Sequence, residues 1–176
     1  MKNNAPYLTL IFLLFVALKF WYTQATTESL LFFLKPVDKI VELAVDSPSQ
    51  FLPQKGYFHE DLNIVIDRSC SGFNFWLICF VMLGSSAMKF FLRPRQKIAA
   101  IFALLVFSYF FTIFVNAWRI WISVKMQKVW ASIFMTPPAQ IHQVEGTMIY
   151  LASLILVYFT VDWLFRKTTR RYATPA

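Results

Sequence analysis

Four runs of mostly apolar residues, each close to the length of a membrane-crossing helix, alternate with polar stretches along this chain. A bilayer crossing needs about 20 such residues in a row. The runs cover about 5–21, 72–92, 98–118 and 144–165. They predict an all-α, polytopic membrane protein of about four transmembrane helices, forming a single integral membrane domain over 1–176. Lys19 falls within a turn of the end of the first run and is expected to snorkel toward headgroups beside Trp21 and Tyr22. A cleaved signal peptide is the competing reading of that run. No small-x-small site follows it directly, although Ala25 is close, and a retained anchor is expected.

The longest polar stretch is 23–69. Within it Leu34, Val37, Ile40, Val41 and Ala44 recur near helical spacing, with Lys35, Asp38, Lys39 and Glu42 between them. That pattern predicts an amphipathic helix lying in the membrane interface, started at Pro36 or just before it. The following DSPSQFLPQKG is rich in turn formers, and a short apolar NIVID leads into Cys70. Both read as loop.

Composition agrees with lipid as the solvent. The chain is 58% hydrophobic and 15% charged, where a soluble domain carries about 45–50% and about 25%. Net charge is +8, but its placement explains it. Lys2, Arg93, Arg95, Lys97, Arg166, Lys167, Arg170 and Arg171 fall on one side of the four runs. Glu28, Asp38, Glu42, Asp46, Glu60, Asp61, Asp67 and Glu145 fall on the other. Short basic loops stay cytoplasmic, so both termini are expected inside, with 23–69 and 119–143 outside. Lys125 and Lys128 are mild exceptions. Nucleic acid is not an expected partner, and the absence of internal repeats argues against a transporter of repeated halves.

Three chemically capable residues fall at the outer edge of three different runs. Cys70 immediately precedes the second, where free backbone N–H groups and the helix dipole attract negative charge. Ser71 and Gly72 allow a tight turn and a close backbone approach there. Arg119 ends the third run, with Asn116 one turn earlier on the same face. His142 opens the fourth, stiffened by Pro137 and Pro138, with Glu145 able to hold the imidazole and Gly146 clearing space one turn on. Each has an ordinary reading: Cys70 as small apolar filler, Arg119 as a belt anchor beside Trp118 and Trp121, His142 as a polar residue at a helix start. Cys79 is the internal contrast, an inert thiol expected in mid-span, about 13 Å from Cys70 and too far for a disulfide. His59 is expected to be exposed in its YFHED context, and a zinc site from His59, His142 and Cys70 lacks ligand-pair spacing. No metal and no cofactor is expected.

The strings Ser69-Cys70-Ser71-Gly72, Asn116-Ala117-Trp118-Arg119-Ile120 and His142-Gln143-Val144-Glu145-Gly146, in this order on successive runs, resemble the exosortase/archaeosortase family. The likeness covers roughly residues 65–165. It implies a membrane cysteine peptidase or transpeptidase at the outer face of the cytoplasmic membrane of a prokaryote. By that resemblance Cys70 is the nucleophile, Arg119 the oxyanion or substrate-carbonyl stabiliser and His142 the general acid/base, with Asn116, Glu145 and Gly72 in support. The implied partners are membrane-anchored proteins carrying a C-terminal sorting signal. Four runs fall short of the roughly eight spans usual in larger members, so the chain looks like a compact variant, of the exosortase K type. The alternative is a non-enzymatic membrane scaffold or assembly subunit. A third reading is plain proteolysis, with water in place of an acceptor amine.

Overall fold

The computed structural model describes residues 4–133 and 138–173, with side chains over 4–126 and 144–168. The chain is mostly helical, and four helical stretches are long and apolar enough to cross a membrane: Ala5–Gln24, Arg68–Ala87, Pro94–Met126 and Val144–Thr168. The helices are α1 (Ala5–Gln24), α2 (Leu31–Val45), α3 (Phe73–Ala87), α4 (Pro94–Ile133) and α5 (Pro138–Ala173). Helices α4 and α5 outrun their predicted bounds of 98–118 and 144–165, whereas α3 stops at Ala87, short of 92. No glycine or proline follows Pro94 until Pro137, so nothing stops α4 at Trp118. Much of the expected 119–143 loop is therefore helix, and Arg119 lies inside α4 rather than at its end.

The chain forms two compact units. One takes the described residues of 1–23, 74–110 and 153–176. Here Gly84 of α3 leaves room for Ile11 of α1, since a Cβ on it would lie 3.2 Å from Ile11 Cδ1. Trp76 Nε1 donates to the Leu105 carbonyl at 3.1 Å, joining α3 to α4. Lys97, expected among the basic charges of a cytoplasmic loop, is buried. Its ammonium donates to Asn4 Oδ1 and lies 4.9 Å from the Tyr7 ring centroid.

The second unit takes the described residues of 24–73 and 111–152. Its 24–73 segment contains a feature the sequence pattern did not disclose, a three-stranded antiparallel sheet of β1 (Gln50–Leu52), β2 (Gly56–His59) and β3 (Ile64–Ile66). Leu52 pairs with Gly56 in the first hairpin, and His59 pairs with Ile64 in the second. Gly56 has φ +113°, and a Cβ there would lie 2.3 Å from the Ile66 carbonyl oxygen. Only glycine fits that crossing.

Helix α2 begins earlier than predicted, with Pro36 inside it. Proline removes one backbone bond, but Phe33, Leu34, Val37 and Val41 bury one face of the helix. Phe33 also meets Phe73 edge-on at 5.6 Å.

His59 corrects another expectation. It is fully buried, not exposed, and ties β2 to α2. Its Nδ1 lies 3.0 Å from the Ser47 carbonyl, which can only accept, so Nδ1 carries a proton. Nε2 then faces Asp38 Oδ1 at 3.0 Å. Burial pushes the Asp38 carboxyl above the usual carboxylate range, opposed by the Ser49 hydroxyl, which donates to it, and by His59. Strand β3, held in the same sheet, delivers the chain to Cys70.

Candidate active site

Cys70 closes a single 3₁₀ turn, Arg68–Cys70, and Ser71 and Gly72 separate it from the start of α3 at Phe73. Asp67 makes this turn. Its carboxylate accepts the Ser69 N–H at 2.8 Å, the Ser69 hydroxyl at 2.6 Å and the Cys70 N–H at 3.3 Å. These bonds satisfy donors that a short turn would leave open. Cys70 is half-buried and its Sγ lies 3.8 Å from Ser69 Oγ. Gly72 follows at φ +71°, a left-handed conformation, with Thr112 Cγ2 3.1 Å and Asn116 Cγ 3.3 Å from where a Cβ would stand. The close approach expected of Gly72 is thus made against α4.

Helix α4 meets this turn with a polar stripe. Thr112, Asn116, Arg119 and Ser123 are spaced four, three and four residues apart, one face of a helix. Asn116 is fully buried, and its amide is fully engaged on two sides. Nδ2 donates to the Cys70 carbonyl, and Oδ1 accepts from the Tyr150 hydroxyl at 2.7 Å. These two bonds fix which way the amide points. Tyr150 was not singled out from sequence, although it lies one helical turn beyond Gly146 and could have been found by that spacing.

Arg119 is 9% exposed, whereas neighbouring Trp118 is 50% exposed and stacks on Trp121 at 4.8 Å. A belt anchor would reach outward, as Trp118 does. Arg119 instead turns inward, its guanidinium carbon 5.0 Å from the Tyr150 ring centroid. Gly146 makes the room. A Cβ there would lie 3.1 Å from Arg119 Nη1 and 3.3 Å from Cδ. The space that Gly146 clears is thus occupied by Arg119. Arg119 Nε and Nη2 are buried and have no hydrogen-bond partner among the described residues, and the Thr112 hydroxyl is likewise unpartnered.

Glu145 Oε2 accepts the Ser123 hydroxyl at 3.1 Å, a second polar link between α4 and α5. His142 lies in the first turns of α5, and its side chain is outside the described residues. Cys79 is fully buried in α3. Both cysteines are free thiols. Among the described residues no cluster of three or more His, Cys, Asp or Glu side chains could hold a metal ion.

Contacts therefore run from the turn of Cys70 and Gly72 to Asn116, from Asn116 to Tyr150, and from Tyr150 to Arg119 beside Gly146. No protein-family model matches this chain, and neither a curated protein nor a solved structure matches it.

Proposed function

We propose that this chain is a membrane cysteine peptidase or transpeptidase of the exosortase type. It cleaves membrane-tethered proteins near a C-terminal anchor at the outer face of the cytoplasmic membrane. The observation that carries the reading is the bond from Asn116 to the Cys70 carbonyl, which ties the thiol's turn to the α4 face bearing Arg119. A thiol at a fixed turn and a buried guanidinium on the adjoining helix face, with two nitrogens unpartnered among the described residues, are two components of acyl transfer. The lipid setting is supported by large apolar side chains exposed along the long helices, such as Phe12, Phe20, Phe110, Phe114 and Phe159. In this setting 23–69 is an outer segment in which α2 lies along the interface, with Lys39 and Leu43 exposed.

In the proposed mechanism His142 takes the Cys70 proton, and Sγ attacks the scissile carbonyl carbon. Arg119 offsets the charge that develops on the carbonyl oxygen. The C–N bond breaks, the departing segment's nitrogen takes the proton from His142, and a thioester remains. An acceptor amine, or water, then attacks the thioester, gives a proton to His142, and Sγ leaves. The scaffold reading has one observation in its favour: Asn116, Tyr150, Ser123 and Glu145 join the helices without any chemistry.

Cys70→Ser and Cys79→Ala separate these readings. With a membrane-tethered reporter processed by the wild-type protein, Cys70→Ser is expected to abolish processing and Cys79→Ala to leave it nearly intact. Robust processing by Cys70→Ser would remove the thioester. Orientation is tested in a Cys70→Ala background by a membrane-impermeant thiol reagent on intact cells. Glu60→Cys should be labelled and Gln96→Cys should not; labelling at position 96 alone inverts the topology.

A further inference from the structure

The guanidinium of Arg119 presents a specific edge. Nη1 lies on the Cδ side of the group, so Nε–H and one Nη2–H point the same way and form a two-donor fork. In this protein Nε and Nη2 are the two nitrogens that are buried and unpartnered among the described residues. Nη1, on the other side, is the nitrogen beside Gly146. The group cannot shed its charge by losing a proton, and no carboxylate among the described residues pairs with it. Glu145, the nearest acid in sequence on α5, engages Ser123. A buried cation whose fork is unfilled among the described residues is a receptor for an anion with two oxygens in a plane.

We propose that the Nε/Nη2 edge of Arg119 is a carboxylate-binding site. Tyr150 and Gly146 hold the edge in place, one by its ring face and the other by lacking a side chain. The binding claim stands on this geometry alone. Its consequence for turnover rests on the cysteine reading above. When water attacks the thioester, the C–S bond breaks, Cys70 regains its thiol proton, and the new acid ionises to a carboxylate that the fork retains. When an amine attacks, the product is a neutral amide with no charge to hold it. The same arginine that offsets the oxyanion therefore retains the hydrolysis product and releases the transfer product. An acidic side chain on a peptide offers the same planar anion and is the other source of this chemistry.

The test is a ligand-observed NMR titration of the full-length protein in nanodiscs. The probes are N-acetylglycylglycine, its neutral C-terminal amide, N-acetylglutamate α-amide and inorganic phosphate. Saturable binding by a carboxylate probe, about tenfold or more tighter than the neutral amide, is expected. Whichever of the two carboxylates binds identifies main-chain or side-chain recognition. Arg119→Gln should abolish the binding, and Arg119→Lys, which keeps the charge but not the fork, should weaken it about tenfold. Equal affinity for amide and carboxylate overturns the proposal. So does binding unchanged in Arg119→Lys, binding unchanged in a folded Arg119→Gln protein, or binding of phosphate alone. Cys70→Ser should retain the site, so a lost peptidase reading and a lost carboxylate site give different results.

Discussion

Replacing Gly72 by alanine tests whether the turn carrying Cys70 is held against α4 as described. Two costs add. The residue has φ +71°, and a non-glycine side chain in the left-handed region costs about 1–2 kcal/mol. The new Cβ would also stand 3.1 Å from Thr112 Cγ2 and 3.3 Å from Asn116 Cγ, tighter than ordinary contact. Overpacking of this kind costs about 1–3 kcal/mol. The sum is about 2–5 kcal/mol, read as loss of stability in a denaturant titration of the reconstituted protein. Thr112→Ser removes the nearer methyl while keeping the hydroxyl. In that background the cost of Gly72→Ala should fall by about 1 kcal/mol, leaving the backbone strain untouched. A Gly72→Ala protein within about 0.5 kcal/mol of wild type, or one whose cost is the same in both backgrounds, would refute the close approach. Alkylation of Cys70 by a small neutral reagent provides a second readout, because a displaced turn alters thiol access.

Arg119→Lys should accumulate to wild-type levels yet lose activity about 10²-fold or more, by comparison with removal of an oxyanion donor; equal activity at equal protein level would restore the anchoring role. Tyr150→Phe removes the hydroxyl that orients Asn116 and should cost about 1 kcal/mol of stability, checked by the same titration. His59→Ala strands a buried acid and should destabilise by about 3–5 kcal/mol; a change below about 1 kcal/mol would contradict the clamp. Asp38 holds its proton more tightly folded than unfolded, so its contribution is full below about pH 4 and is lost as pH rises through the raised value. Asp38→Asn should remove that fall, seen by comparing stability against pH for the two proteins.

Much of the helical frame was legible because an 18-to-20-residue apolar run has few alternatives. The ends were not. Ile120 to Ile133 mixes lysines with apolar residues, which reads as loop, yet it contains no residue that breaks a helix. The sheet escaped because its strands are three or four residues long and its pairing is non-local. The burial of His59 followed from that sheet, so an imidazole in a charged string looked exposed. Within the site, Gly72 and Asn116 were readable as a close approach and an inward polar group. The depth of Arg119 and its stacking on Tyr150 depend on how α4 and α5 face each other, which no local pattern encodes.

The continuity of α4 through Arg119 makes bilayer thickness a control variable. The apolar run 98–118 of α4 ends immediately before Arg119; its 21 residues are about 32 Å long at about 1.5 Å per residue. The hydrocarbon layer is about 30 Å thick. In the proposed orientation the length of that run thus sets the depth of the outer guanidinium, in a layer of almost the same thickness. Shorter acyl chains lift Arg119 into the headgroup layer, where water and phosphates compete for its free edge. Longer chains draw it under, or tilt the helix, at a cost in mismatch. Turnover in vesicles should therefore pass through a maximum as lipid chain length is varied, with the optimum set by the length of the apolar run ahead of Arg119.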